Sequence, residues 1–284
     1  MTDFGVVMFP ADFAIHPAEL ARATEERGFG SLFFPEHIHI PASRKTPYPG
    51  GVEMTKEYWQ SHEPFVALAA AAAVTSRIKL GTAVCLVVER DPILLAKEVA
   101  SLDAISNGRV VLGIGGGWNV EEMENHGVPF KRRWKVVREK VLAMREIWTK
   151  EAAEFHGEFV NFDPIWCGPK PVQKGGPPIL LGSFSKRAFE RVAEYCDGWI
   201  PVNIPGYDFA AALKALRETA ERAGRRADSL SLTIPGVAPK EEEARRFVAM
   251  GFDRILFGLP PAGREIVLPL LDRYASLVAK LTRG

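Results

Sequence analysis

Eight short apolar runs, each followed by a helical pattern, constrain this 284-residue chain more than any other feature. They cover residues 4–9, 31–34, 78–87, 109–115, 177–183, 197–202, 230–236 and 253–259. Strands buried on both faces read as continuous apolar runs rather than as alternating ones. Parallel strands return through a long crossover, usually a helix. Eight such units in this length are the arithmetic of an α/β fold of the (β/α)8 barrel type, the TIM barrel. An open doubly wound sheet is the competing arrangement. The pattern predicts one barrel domain over residues 1–284, with insertion segments and no internal repeat.

The punctuation agrees. The first helix opens at Pro17 and stops at Gly28, since proline suits a first turn and glycine a C-cap. Asp91-Pro92 starts another, with Leu95, Val99, Leu102 and Ile105 at helical spacing and Asn107-Gly108 as its stop. Long helices are expected over 130–149, up to Tyr195, and up to Leu281. Two connections are long, 36–64 and 151–176. The first contains "PASRKTPYPGG", too rich in Pro and Gly to be regular. In the second, "HGEFVNFDP" predicts one short extra strand and "GPKPVQKGGPP" an extended arm. Long loops in a compact domain are usually functional.

Composition narrows the class of function. A net charge of +1 gives no reason to expect nucleic acid or an anionic membrane as a partner. Cys85, Cys167 and Cys196 lie far apart, without metal or disulfide spacing, so a reducing compartment fits. The start "MTDFGVVMFP" lacks the basic end and long apolar core of a signal peptide. The run from Ala67 to Val74 is too short to span a bilayer. A cytoplasmic enzyme is expected.

Barrel active sites lie at the carboxyl ends of the strands, which turns a residue list into a map. The fourth strand ends in "VVLGIGGGWNVEE". A dinucleotide fingerprint would need glycine at 118 or 120, where Trp118 and Val120 stand. No Gly-Lys-Ser/Thr follows, which excludes a P-loop. Gly115, Gly116 and Gly117 then read as bare backbone against a flat ring, or as a tight turn with positive φ. The fifth strand ends in "GSFSKR", an anion site if Ser183 or Ser185 caps the next helix with Lys186 and Arg187 in its first turn. An ordinary cap with two solvated cations is the alternative.

"EHIHI" ends the second strand. His37 and His39 have the spacing of two metal ligands, but the later strand ends offer glycine, proline and leucine, so no metal is expected. His37 suits proton transfer or hydrogen bonding to a substrate, with Glu36 tuning it; a structural ion pair is the alternative for Glu36. Phe9, Trp59 and Trp118 are candidates for an apolar wall or for plain core packing.

Together, "RGFGSLFFPEHI", "RIKLGTAVCLVVERDPILLAKEVASLDAISNGRVVLGIGGGWNVEEMENHGVPFKRR", "PKPVQ", "PPILLGSFSKRAFERVAEYCDGWIP" and "GFDRILFGLP" resemble the luciferase-like monooxygenase superfamily. The resemblance implies a barrel with an insertion within 151–176 and a tricyclic ring in the barrel mouth. It implies a bulge with a non-proline cis peptide at Ala83-Val84. Gly115, Gly116, Gly117, Trp118, Asn119 and Glu122 would flank the ring and its ribityl chain. Gly182, Ser183, Phe184 and Lys186 would hold the phosphate end. His37 falls on the family's active-site histidine, beside the often acidic position of Glu36. Flavin-using members often carry an arginine where Gly116 stands, so the resemblance favours the deazaflavin coenzyme F420 over FMN. The implied activity is hydride transfer between the deazaflavin and a small organic substrate. The alternatives are an FMN-dependent monooxygenase using reduced flavin and O2, or a non-catalytic partner subunit. A homodimer and a separate reductase supplying reduced cofactor are the implied partners.

Overall fold

The structure, a computed structural model, describes residues 2–49, 51 and 53–282; Gly50, at the end of the Pro/Gly-rich stretch, lies outside them. In chain order the elements are β1 (Asp3–Val7), α1 (Pro17–Glu26), β2 (Ser31–Phe34), α2 (Pro64–Ala73), β3 (Lys79–Cys85), α3 (Pro92–Ser106), β4 (Val110–Gly115) and α4 (Val120–Asn125). Then come α5 (Arg133–Thr149), β5 (Ala152–His156), β6 (Asn161–Trp166), β7 (Ile179–Gly182), α6 (Ala188–Tyr195) and β8 (Gly198–Trp199). The chain ends with α7 (Phe209–Arg222), β9 (Ser231–Val237), α8 (Glu241–Met250), β10 (Arg254–Gly258) and α9 (Arg264–Leu281). Eight parallel strands close in the order β1-β10-β9-β8-β7-β4-β3-β2, the expected barrel.

Local chemistry starts the helices where expected. Asp91 accepts from the backbone N–H of Ile93 and Leu94 at the head of α3, and Asn107 ends that helix in the left-handed region at φ 57°. Most of the core lies between strands and helices. Inside the barrel, Phe33, Val111, Leu180, Ile200 and Leu256 form a separate plug, with Val7, Ala83 and Val84 partly buried above it. Residues that fill the interior make the barrel a packed core and not a pore.

The insertion differs from expectation. The predicted single extra strand is a hairpin, β5 paired antiparallel with β6, outside the barrel. Its turn is closed by a residue distant in sequence. Glu139 on α5 accepts from the backbone N–H groups of Glu158, Phe159 and Val160 at 3.0, 2.6 and 3.0 Å. The arm that follows, expected to be extended, instead bends and turns over residues 172–177, with positive φ at Gly175 and Gly176. Buried Asp103 anchors it by accepting from Gln173 N at 3.0 Å and Gln173 Nε2 at 2.7 Å. The sixth barrel strand shrinks to Gly198–Trp199, because Pro201 has no N–H to continue the ladder.

At the floor of the barrel, the buried Arg109 guanidinium donates to the carbonyls of Ser106, Ile78, Ala72 and Thr75 at 2.7–3.1 Å. It ties α2 and α3 to β3 without a carboxylate. Arg109→Met would strand those carbonyls, so it is expected to cost about 2–4 kcal/mol of stability. Urea melts check this; cofactor affinity should stay unchanged, because the floor is the far end from the candidate site.

Candidate active site

The carboxyl ends of the strands enclose a cavity of about 640 Å³. Its back wall is built at β3. The Ala83-Val84 peptide is cis, and the register against β4 shifts between Thr82 and Cys85. Ala83 and Val84 both face the cavity. The bulge drives Val84 toward the neighbouring strand ends. A Cβ on Gly115 would meet Val84 Cγ2 at 2.7 Å, and one on Gly182 would meet Val84 Cγ1 at 2.9 Å. A Cβ on Gly116 would meet the Trp134 ring at 2.8 Å, while Gly117 takes φ +68°. The tight-turn reading of the glycine run holds at Gly117. Gly117 makes the turn, and Gly115 and Gly116 make room for Val84 and Trp134 while still lining the cavity.

His37 extends from the end of β2 into the cavity wall. Its Nδ1 lies 3.0 and 2.9 Å from the two carboxylate oxygens of Glu122. The Trp118 indole N–H donates to His37 Nε2 at 3.2 Å. A carboxylate at one nitrogen and a donor at the other assign the proton to Nδ1. Glu122 sits in the first turn of α4, and Asn119 caps that helix by accepting from Glu122 N at 3.3 Å. Asn119 and Glu122 are thus buried behind the loop and hold His37, instead of flanking a ring as expected.

Glu36 does not tune His37. It accepts from Arg90 Nε at 2.9 Å, Arg90 Nη2 at 2.7 Å and Leu86 N at 3.2 Å. Arg90 also pairs with Glu63 and Glu98. This is the structural ion pair left open by the sequence, although Glu36 also borders the cavity. Burial pushes its carboxyl up against the opposing pull of Arg90.

Glu89 lies beneath Gly117, buried, with neither carboxyl oxygen partnered. Burial and the neighbouring Glu122 and Glu36 push its pKa up to about 9. A carboxyl raised on folding keeps a proton that the unfolded chain loses. Stability is therefore expected to fall as pH rises from about 5 towards 9. Lys140, drawn down to about 8 by burial, adds the opposite slope only at the alkaline end. Glu89→Gln should flatten the fall between about pH 5 and 7, read by chemical denaturation; an unchanged slope would refute the neutral acid.

The wall beside His37 is aromatic. Tyr58 packs on Phe9 at 4.8 Å and His37 at 5.3 Å, and shares a 2.7 Å hydroxyl contact with Tyr48. Phe9 and Trp118 line the cavity as expected. Trp59 does not; it is half exposed and its neighbour Tyr58 takes the role. The long 36–64 connection lies over this corner. Glu121 accepts from Lys45 N at 2.8 Å and Thr46 Oγ1 at 2.6 Å, and His62 N donates to Pro10 O at 2.9 Å. His39 points elsewhere, toward Asn125 at 2.9 Å. Among the described residues, no group of three or more His, Cys, Asp or Glu is arranged to hold a metal ion.

The opposite end of the cavity is cationic, but not through the expected residues. Lys186 is exposed and outside the lining, and the Phe184 ring packs on Trp199 and Tyr207. Neither serine caps α6, whose N-cap is Arg187 without a side-chain bond. Ser183 Oγ instead accepts from Ser185 N at 3.2 Å. The cations come from two helices. Arg133, at the head of α5, lines the cavity beside Ser183 and Ser185. Arg191 on α6 donates to Ser185 Oγ at 2.5 Å and lies 4.4 Å over the Trp134 ring. Arg133 has a buried Nε with no acceptor; burial and the nearby Arg191 lower its pKa. Two arginines without a carboxylate partner among the described residues, next to two hydroxyls, make a receptive anion site. A phosphorylated flat cofactor fits this donor set.

Residues 15–271 match the family model described as luciferase-like monooxygenase. The chain belongs to the luciferase-like monooxygenase family. It is thus an F420- or FMN-dependent oxidoreductase or monooxygenase. An uncharacterized protein of Mycobacterium tuberculosis (strain ATCC 25618 / H37Rv) is 40% identical over 282 residues, covering 97% of this chain and 98% of the relative. An F420-dependent glucose-6-phosphate dehydrogenase of Nakamurella multipartita is 31% identical over 75% of this chain and 60% of its own length. The crystal structure of monooxygenase RslO1 from Streptomyces bottropensis shares the fold, with TM-score 0.77 at 21% identity over 99% of this chain and 100% of that one. No helix among the described residues is long and apolar enough to cross a membrane.

Of the family's expected features, the third-strand bulge and its cis bond stand where the resemblance placed them. The missing arginine at Gly116 carries less weight than the sequence suggested. Arg133 reaches the cavity from α5, and the Trp134 ring fills the space beside Gly116. Sequence reasoning missed Arg133, Trp134, Arg191 and Tyr58. For Arg133 and Trp134 the local signal is an arginine–aromatic pair at the head of a helix, which also describes a solvated face.

Proposed function

We propose that the chain binds coenzyme F420 and moves a hydride between the deazaflavin ring and a small organic substrate. One observation carries the reading: a slot backed by Ala83, Val84 and bare glycine backbone joins the His37–Glu122 pair to Arg133, with Arg191 behind Ser185, neither arginine having a carboxylate partner among the described residues. The F420-dependent relative at 31% identity supports the choice of cofactor.

When bound, the deazaflavin supplies the carbon that gives or takes the hydride. The chain's own groups do the rest. Arg133, Arg191, Ser183 and Ser185 would hold the phosphate. A substrate hydroxyl displaces the Trp118 N–H from His37 Nε2. His37 takes the hydroxyl proton as the substrate carbon loses its hydride, and returns it in the reverse direction. Glu122 on Nδ1 offsets the resulting imidazolium charge. Phe9, Tyr58 and Trp118 keep water from this corner. The same reading includes a cytoplasmic homodimer whose cofactor is reduced or reoxidised by a separate enzyme.

An FMN monooxygenase is the second reading, because an arginine pair grips any phosphate. Fluorescence titration tests the choice. F420 is expected to bind at least about tenfold more tightly than FMN, and Arg133→Ala to weaken F420 by about tenfold or more. The phosphate-free deazaflavin nucleoside should bind the variant and the parent alike. FMN binding as tight as F420 would overturn the deazaflavin reading.

A further inference from the structure

The cavity has a second wall, facing the bulge of β3. β9 lies across the closed barrel from β3, with three strands between them on either side. It is bulged as well. Pro235 pairs with Leu256 and Val237 with Phe257, which leaves Gly236 unpaired at φ 74°. A bulge bends its strand and breaks the ladder at that point. Gly258 ends β10 beside this bulge, and both glycines line the cavity. The backbone at Gly258 is fixed. Tyr274 Oη donates to its carbonyl at 3.2 Å, and the next residue, Leu259, donates its N–H to Val7 O at 2.9 Å.

Gly258 differs from the other glycines of the cavity. Gly115, Gly116 and Gly182 leave no room for a Cβ, while Gly117 and Gly236 take positive φ. Gly258 has no positive φ, and a Cβ on it would meet only the Cα of Gly236, at 3.8 Å. Neither packing nor backbone conformation therefore requires glycine at this position. Glycine weakens a strand, and one kept there marks the close approach of something outside the strand.

The surroundings say what approaches. Met8 and Phe9 after β1, Pro235 on β9 and Leu259 after β10 make the wall around the two glycines apolar. The ionisable lining of the cavity lies elsewhere: Glu36 tied to Arg90, His37 at the end of β2, and Arg133 beside the serines. Among the described residues, no cation lines the β1, β9 and β10 side. An anionic substrate would lose its water there and find no partner, whereas a hydrocarbon body gains by leaving water.

We infer that this wall receives the body of the substrate, that the substrate is an uncharged secondary alcohol or ketone bearing an alicyclic or branched hydrocarbon group, and that the missing side chain at Gly258 sets the size accepted. The inference rests on the reading that a flat cofactor ring lies against β3, so that the substrate lies between ring and Gly258. In the oxidative direction the carbinol C–H bond breaks and the hydrogen leaves with its electron pair, as hydride, to the oxidised deazaflavin. The O–H bond breaks, its proton passes to His37 Nε2, and the C=O bond forms. The alcohol is oxidised and the deazaflavin reduced.

The test reads binding without turnover, by calorimetry on the full-length protein saturated with oxidised F420. Three probes share one ring: cyclohexanone, cyclohexanecarboxylate and cyclohexyl phosphate. Cyclohexanone is expected to bind at least about tenfold more tightly than either anion. Gly258→Val should weaken cyclohexanone by about tenfold or more while changing butanone by less than about twofold, with F420 affinity and melting temperature as in the parent. The ratio of kcat/KM for cyclohexanol to that for sec-butanol should fall by the same factor. Gly258→Ala should give an intermediate ratio, and it serves alone if the valine variant does not fold. Anions that bind as tightly as cyclohexanone overturn the uncharged substrate, and an unchanged ratio in the Gly258 variants overturns the size role. Both results leave the deazaflavin reading standing, because F420 is bound throughout. If FMN binds in place of F420, the deazaflavin reading falls and the same titrations on the FMN-loaded protein decide the wall. Failure of both cofactors to bind overturns both.

Discussion

His37→Ala is expected to lower kcat by about 10²–10⁴-fold with cofactor affinity nearly unchanged, the range for loss of a positioned proton carrier. The expectation follows from how the side chain is held. Glu122 fixes Nδ1 at 2.9 Å, and the buried first turn of α4 fixes Glu122. Nε2 is left with only an indole donor at 3.2 Å, a partner that a substrate hydroxyl can replace. Glu122→Gln separates charge from geometry. It keeps an acceptor for the Nδ1 proton but removes the anion that balances an imidazolium. A loss in kcat of about 10-fold or more, with KM little changed, is expected. Loss of cofactor binding in Glu122→Gln would instead return that residue to the ring-flanking role the sequence suggested. Stopped-flow measurement of the hydride step reads the effect directly. Unchanged turnover in His37→Ala, with the cofactor saturating, sinks the proton-transfer role.

Gly116→Ala should weaken cofactor binding by about 10–100-fold and cost about 1–3 kcal/mol of stability. The added methyl would sit 2.8–3.0 Å from three atoms of the Trp134 ring. That ring is itself held between Arg191 at 4.4 Å and Arg133 at 5.6 Å. Either the ring moves and spoils the arginine pair, or the loop moves and closes the slot. Trp134→Leu, in the background of Gly116→Ala, tests the cause. A steric origin makes the double variant bind better than Gly116→Ala alone, a coupling that a double-mutant cycle measures. An additive double variant would mean that Gly116 is needed for backbone contact with the cofactor and not for Trp134.

The fold was legible because its signals are local. Apolar runs buried on both faces, Pro17 and Asp91-Pro92 at helix starts, and glycine or asparagine at helix ends each act within a few residues. Among the fold elements misread, the β5–β6 hairpin depends on Glu139 from α5 closing its turn. The site was legible in outline, since strand ends must meet at one face of a barrel. His37, Ala83-Val84, Gly115–117 and Ser183 do meet there. Lys186 and Phe184 failed because a strand-end position does not say which way a side chain turns. Arg133 and Arg191 escaped notice because each lies on a charged helix face, and one charged residue among several carries no local mark of its target.

From its sequence alone, this chain is set to form a closed parallel barrel with a bare, glycine-lined mouth, because strand count, burial pattern and backbone freedom are properties of short segments. Only the tertiary structure decides which carboxylate serves which partner. Glu36 lies next to His37 in sequence yet pairs with Arg90, while Glu122, 85 residues away, holds the imidazole. The physical reason is that neighbouring side chains on an extended segment point to opposite sides, so adjacency in sequence separates them. Barrel closure brings the first turn of α4 under the end of β2, and that closure, not proximity along the chain, builds the His37–Glu122 pair.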